Sequence, residues 1–283
     1  MRSPEPTLLD TAKLVGLARP VQVIAVTGGK GGVGKTSVAV NLASALAHAG
    51  RRVVLLDGDL GLANVDVFLG LSPRYTLDEI LLEAQPGLQV VPGASGVADL
   101  ANLEAARHLG LVQAFSTLAM RLDVLIVDTA AGIAHGVTQF SQAAQQVLVV
   151  LCDEPASLTD SYALVKVLSR NHGVRRFRVL ANMARAAGAG QELFRRLERV
   201  TSRFLDVVLD YVGEIPEDEC LRRAIRGQRP VLAAYPSSPA SAAFKKLAAR
   251  ADKWPVPSGP RGNLEFFVER LVVKPTPRLE AVP

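Results

Sequence analysis

The chain has 283 residues, enough for one large domain or two smaller ones, and 49% of them are hydrophobic, which excludes a chain disordered as a whole. No apolar run approaches the ~20 residues of a membrane span. The amino terminus lacks the basic-then-apolar pattern of a signal peptide, and Cys152 and Cys220 show no metal spacing, so they read as reduced thiols of a cytoplasmic protein. The net charge of +5 permits contact with nucleic acid or anionic lipid without requiring either. Arginines gather at Arg175-Arg176-x-Arg178, Arg195-Arg196 and Arg222-Arg223-x-x-Arg226, and each group reads as a solvated face.

Residues 1–20 include Pro4, Pro6 and Pro20 and read as a flexible arm with one short helical piece over 8–17. From 21 to about 250, apolar strand-like runs alternate with helical patterns. The expected strands are 21–27, 52–56, 88–91, 122–127, 147–151, 177–181 and 207–212; the expected helices include 102–120, 157–171 and 190–204. This alternation means βαβ units and an α/β fold, a single three-layer domain whose mostly parallel sheet is covered by helices on both faces. Continuous apolar strands such as Val124-Leu-Ile-Val127 suit that double cover. The domain is expected over 21–252, with its site at the carboxyl edge of the strands.

The first strand runs into Gly28-Gly29-Lys30-Gly31-Gly32-Val33-Gly34-Lys35-Thr36, followed by an alanine-rich helical stretch from Ser37. Gly29-x4-Gly34-Lys35-Thr36 fits the P-loop spacing, in the strand–loop–helix context that a P-loop requires. Glycines let backbone N–H groups converge on phosphate oxygens with no Cβ in the way. The helix start turns its positive end to the same anion. Gly29, Lys30, Gly31, Gly32, Val33, Gly34, Lys35, Thr36 and Ser37 form the candidate ATP-binding loop. Lys35 should reach the β- and γ-phosphates, and the Thr36 hydroxyl should sit on Mg²⁺.

Two further strands end in carboxylates. Val53-Val-Leu-Leu56 leads into Asp57-Gly58-Asp59, and Leu125-Ile-Val127 into Asp128-Thr129-Ala-Ala-Gly132. After a P-loop, apolar residues ending in Asp form a Walker B pattern, so Asp128 should hold Mg²⁺ through water, and Thr36, phosphates and Asp128 satisfy its preference for oxygen. Later, Asp153-Glu154-Pro155-Ala156-Ser157-Leu158-Thr159 reads as a helix start capped by Ser157 or Thr159. Pro216 and Glu217 read as another, with Pro in the first helical position. The stretch 254–260 is a break, ordered if Trp254 docks. Beyond it Leu264, Phe267, Val268, Leu271 and Val272 mark one apolar face of a helix over 263–273, within a carboxyl-terminal segment 253–283.

The run Lys30-Gly31-Gly32-Val33-Gly34-Lys35-Thr36 resembles the deviant Walker A motif of MinD/ParA-type ATPases. Asp59-Leu-Gly-Leu-Ala-Asn-Val-Asp66 and the Phe266-Phe-Val-Glu-Arg-Leu271 tail are similar to the FlhG/FleN flagellar-number ATPases. The resemblance covers about residues 21–272. It implies an ATPase that dimerises with ATP and returns to monomer on hydrolysis. Lys30 would reach across the dimer to the partner's phosphates, as an arginine finger does. Asp59 would orient the attacking water, Asp57 would support the Mg²⁺ shell, and 129–132 would sense the γ-phosphate. Asn182 would read the adenine edge, and the loop with Pro216 and Glu217 would close on the base. Asn64 and Asp66 would order the switch or face the partner subunit.

By the same resemblance the partners would be a second copy, a FleQ-type transcription activator and FlhF, and the role would be limiting flagellar number or placement. The terminal helix would give peripheral membrane contact at the inner membrane or a cell pole. Its polar face carries Glu265 and Glu269 with only Arg270 and Lys274 nearby, so it would bind weakly alone and gain avidity in a dimer, or would pack on its own domain. The family's D-Q-A-x-x-L-R arm, which stimulates FlhF, is reduced here to Asp10-Thr-Ala-Lys-Leu-Val15, which puts FlhF stimulation in question. A MinD-type division-site ATPase and a ParA-type DNA-segregation ATPase stay open as alternatives; direct nucleic-acid binding is not expected.

Overall fold

A computed structural model describes residues 21–59, 65–69, 82–91 and 122–256. The expected arm 1–20, helix 102–120, residue Asn64 and helix 263–273 lie outside the described residues, as does the side chain of Asp66. Strands β1 (Gln22–Thr27), β2 (Val53–Asp57), β3 (Leu82–Gln85), β4 (Leu88–Val91), β5 (Val124–Asp128), β6 (Gln146–Leu151), β7 (Arg176–Ala184) and β8 (Val208–Pro216) form one sheet. Its order is β3-β4-β2-β5-β1-β6-β7-β8, parallel except for the β3–β4 pair. Sequence reasoning found seven of these strands and missed β3, whose Leu82-Glu-Ala-Gln85 has no β-branched residue and no run of apolar ones.

The helices are α1 (Lys35–His48), α2 (Val65–Leu69), α3 (His135–Ala143), α4 (Pro155–His172), α5 (Ala189–Phe204), α6 (Glu219–Arg226), α7 (Val231–Ala234) and α8 (Pro239–Ala251). Strand residues alternate between two packed layers, as a doubly covered sheet requires. Ile24, Val26, Leu55, Ile126, Leu148 and Val150 pack with α1 and α8 on one face. On the other, Val23, Ala25, Leu125 and Val127 pack against Phe140 of α3, while Val149, Leu151 and Val179 pack under α4 and α5. The expected three-layer α/β architecture is therefore present.

Local starts differ from expectation in instructive ways. Pro216 does not open a helix: it closes β8, because Glu217 N–H still donates to Ala184 O (2.9 Å) and pairing continues to that point. The helix waits for Asp218, a better cap, whose Oδ1 accepts from Cys220 N–H (2.8 Å) and whose Oδ2 accepts from Ala240 N–H at the start of α8 (2.9 Å). Nor do Ser157 or Thr159 cap α4. Ser157 is buried and its Oγ accepts from Cys152 N–H (3.2 Å), fastening the helix to the end of β6, while Thr159 Oγ1 donates back to Pro155 O (3.3 Å).

Arg178 is no solvated arginine. It is 8% exposed, bonded to Asp210 Oδ2 and Gln146 Oε1, and its guanidinium sits 5.3 Å from the Trp254 ring centroid. Trp254, the residue on whose docking order at this point depends, is docked against the domain. Gln22 donates to Ala251 O (2.8 Å) and Gln146 to Pro255 O (2.7 Å), so the segment after α8 is held at the amino ends of β1 and β6.

Candidate nucleotide site

β1 is central, flanked by β5 and β6, so the loop leaving its carboxyl end lies at a switch point of the sheet. Gly32 (φ 81°) and Gly34 (φ 88°) take left-handed backbone that favours glycine. Packing adds a second reason for glycine. A Cβ on Gly34 would stand 2.3 Å from Asn182 Nδ2, and one on Gly29 would stand 2.1 Å from the Asp160 carbonyl carbon in α4. Gly31, by contrast, would meet nothing within 4 Å. Two glycines of the loop are thus fixed by its neighbours, independently of phosphate approach.

Lys35 opens α1 and is 9% exposed. Its Nζ lies 3.3 Å from Lys30 O. Burial lowers its pKa, and the carboxylates of Asp128 and Asp59 partly oppose that fall. A buried ammonium at a helix start calls for an anion. Asp128 is level with Val26 on β1 and with Asp57 on β2. Burial pushes its carboxyl up to about 7, against a hydrogen bond from Thr36, and the nearby Asp57 charge adds to the rise. Asp128 Oδ1 is buried with no hydrogen-bond partner. A hard dication between this carboxylate and the Thr36 hydroxyl would satisfy that oxygen and supply the missing positive charge, so these residues fit Mg²⁺.

Asp57 is fully buried, and both its oxygens receive backbone donors: Asp59 N–H on Oδ1 and Val65 N–H on Oδ2, each at 3.0 Å. It ties Asp59 and Val65 to the end of β2 and acts on Asp128 by charge. Asp59 is half-buried at the mouth of the site. After β5, Thr129 N–H donates to Val26 O (3.0 Å) and Gly132 N–H to Gly28 O (3.1 Å), so the segment 129–132 rests on the P-loop. Ile133, next in sequence, is 52% exposed.

Lys30 lies outside this buried group. It is ion-paired with Glu154, just before α4, and the hydrogen bond it donates to Glu154 raises its pKa. Asn182, near the end of β7, is 4% exposed; its Nδ2 donates to Val33 O (2.8 Å), while its buried Oδ1 has no partner. The next residue, Met183, has φ 58°, unusual for a side chain of its size, and is 43% exposed. Glu217 is engaged by Arg222 and lies 3.6 Å from Arg185. The structure therefore brings Lys35, Thr36, Asp57, Asp59 and Asp128 together, sets Lys30 at the rim of the loop and Asn182 buried beneath Val33, and places Pro216 and Glu217 beside Ala184 at the end of β7. Ile133 and Met183 were not singled out from sequence, and Glu154 only as part of the helix start at 153–159. Glu154 precedes Pro155 after a strand, a visible signal, but its nearness to Lys30 depends on β6 lying beside β1.

A glycine loop from a central strand to a helix, a buried lysine at its end and a strand-end carboxylate facing the loop's threonine define a P-loop nucleoside triphosphatase. The chain belongs to the ParA family of P-loop NTPases: the family model described as ParA, NUBPL iron-transfer P-loop NTPase, matches residues 20–251. It is 58% identical over 273 residues to the antiactivator FleN of Pseudomonas aeruginosa, covering 93% of this chain and 98% of that protein. It is 34% identical to the flagellum site-determining protein YlxH of Helicobacter pylori, over 73% of each. Among solved structures, the MinC:MinD cell division complex of Aquifex aeolicus is similar with a TM-score of 0.65 and 26% identity, over 84% of this chain and 98% of that one. The MinD/ParA resemblance and its FleN branch are borne out, and the chain is a nucleotide-binding ATPase of this family.

Proposed function

We propose that this chain is a Mg²⁺-dependent, ATP-driven dimerisation switch that regulates flagellar number or placement. The observation that carries the switch is the contrast between its two lysines: Lys35 is buried beside Asp128, whereas Lys30 sits at the rim, paired only with an exposed carboxylate. Lys35 and the loop N–H groups bind the nucleotide's phosphates. Thr36 and Asp128 hold Mg²⁺, which supplies charge neutralisation at the transferring phosphoryl group. Asp59 orients the attacking water, and Asp57 keeps the Asp59 loop in place and lends its charge to the cation shell. Exchange of Glu154 for phosphate frees Lys30 to serve the partner copy's nucleotide. Ile133 and Met183, exposed on segments tied to the P-loop, supply apolar surface for that second copy.

Asn182 gives a reason to prefer adenine. One N–H of its Nδ2 is committed to Val33 O, and its Oδ1 acceptor has no partner; that oxygen suits the adenine amino group and not the guanine carbonyl. Pro216 and Glu217 close on the base from β8. The flagellar role follows the relatives: one is named an antiactivator, the other a flagellum site-determining protein. A FleQ-type transcription activator and FlhF are the partners proposed, with peripheral membrane contact through 263–273. Residues Gly29 to Ser37 remain the proposed binding loop.

The test is a pull-down from native lysate with Asp59→Ala loaded with Mg·ATP, and Lys35→Ala as control. Enrichment of a flagellar regulator or FlhF only on the ATP-locked bait supports the reading. Enrichment of division proteins, or of nuclease-sensitive material, moves the chain to the MinD or ParA alternative. Normal hydrolysis by Lys35→Ala, or a monomer with normal turnover for Asp59→Ala, removes the proposed roles of those residues.

A further inference from the structure

The amino ends of the strands, opposite the P-loop, carry a surface that the ATPase cycle leaves unused. α5 covers β7 and β8, the last two strands of the sheet, through Leu193, Phe194, Leu197 and Thr201. Its outer face carries Arg195, Arg199 and Arg203 at i, i+4 and i+8, a single row with about 6 Å between steps. Among the described residues none of the three joins an ion pair, whereas their neighbour Arg196 is held by Glu192 (2.7 Å). The Arg203 guanidinium lies 5.3 Å from the Phe204 ring centroid.

Beside that row the helix turns apolar outwards. Val200 is 38% exposed and Phe204 54%, adjacent at i and i+4, and Val208, at the same edge of the sheet, is 51% exposed. These are three of the five large apolar side chains exposed among the described residues; the other two flank the P-loop. The described chain also ends at this edge. Gln22 and Gln146, the first residues of β1 and β6, hold the backbone of Ala251 and Pro255. The apolar-periodic stretch beginning at Leu264 follows Val256 by eight residues, a span of at most about 28 Å.

We infer that this edge, through Arg199, Arg203, Val200 and Phe204, contacts anionic lipid and gives the chain a membrane contact separate from the one proposed for 263–273. Unpaired guanidinium groups next to an exposed ring and aliphatic side chains, on the convex side of a helix, match the headgroup-to-acyl boundary. There, arginines meet lipid phosphates while apolar groups enter below them. A partner helix would seek a groove, and this face is the outside of one helix. The inference does not rest on the proposed flagellar role, and ATP hydrolysis, measured alongside, reports the nucleotide site separately.

The test uses the full chain with Phe267→Glu and Leu271→Glu, which silence the tail's apolar face, and flotation with phosphatidylglycerol–phosphatidylethanolamine vesicles against phosphatidylcholine vesicles. The tail-silenced protein should float with the anionic vesicles only, and less so at raised salt. Adding Arg199→Ala and Arg203→Ala should lower partitioning by about fivefold per arginine, roughly 25-fold together. Phe204→Ser should also weaken it, with melting temperature and ATP hydrolysis unchanged. Equal flotation with both vesicle types, or arginine and Phe204 variants that float like their parent, would overturn the inference and leave the face to an acidic protein partner.

Discussion

Asp128 makes the nucleotide site costly to fold when no cation is bound, and that cost can be measured. Burial holds its carboxyl at about 7, against 3.8 in an open chain. The folded protein therefore binds this proton more tightly than the unfolded chain does. Stability must fall as pH rises from about 4 to about 7 and level off above. At about 1.36 kcal/mol per pH unit, the plateau loss is up to about 4 kcal/mol. Asp128→Asn keeps the shape and removes the charge. In nucleotide-free, chelator-treated protein it should stabilise the fold at pH 8 by up to that amount, roughly 10 °C in melting temperature. Near pH 4 the advantage should vanish.

The assay is denaturant unfolding of both proteins across this pH range, read as their difference so that other titrating groups cancel. Among those are Asp123, whose pKa Arg52 lowers, and His172, whose pKa burial lowers. Both contribute stability that is lost as pH falls, the opposite sense to Asp128. The same variant should lose Mg²⁺-dependent hydrolysis. An advantage that is equal at pH 5 and pH 8, or absent at pH 8, would refute the claim that the buried charge is uncompensated without a cation.

Two substitutions test how the loop is seated. Gly29→Ala should cost about 1–3 kcal/mol and weaken ATP binding, because its Cβ meets the Asp160 backbone, whereas Gly31→Ala, facing open space, should be far milder in both unfolding and nucleotide titration. Equal effects would show that α4 does not press on the loop. Asn182→Leu removes the donor to Val33 O and the Oδ1 acceptor together and should cost about 1–3 kcal/mol. It should also relax the preference for ATP over GTP in competition binding; an unchanged preference would remove Asn182 from base selection.

What was legible in the sequence was what a short stretch determines by itself. The P-loop is one strand, one loop and one helix start, and its glycines, lysine and threonine stand within nine residues. Asp128 was legible because an apolar strand makes its position plain, and the strand period then fixes its depth. The strand runs were found where they were continuous and apolar, and β3 was missed where they were not. Pro216 was misplaced because proline at the first helical position and proline at a strand end look alike locally. Pairing of Glu217 with Ala184, more than thirty residues away in sequence, decides between them.

The loop's neighbours, by contrast, come from strand order. β1 lies between β5 and β6, which follow it by about a hundred residues or more. That order sets Asp128 beside Thr36, Glu154 beside Lys30 and, one strand further out, Asn182 under Val33. No local pattern encodes these contacts, yet they decide which glycines tolerate a side chain and which amide atom of Asn182 is held by the loop. The exposed lysine is the clearest case. From sequence Lys30 could be assigned only by resemblance; in the fold its cis partner is Glu154, at the opening of the helix that also presses on Gly29. An exposed ion pair of this kind contributes little to stability. Lys30 can therefore exchange Glu154 for a phosphate without unsettling the loop, whereas Lys35, enclosed by Asp128 and α1, has no such freedom. One motif thus holds a buried cation and an exposed one, and the transfer proposed for Lys30 rests on that difference.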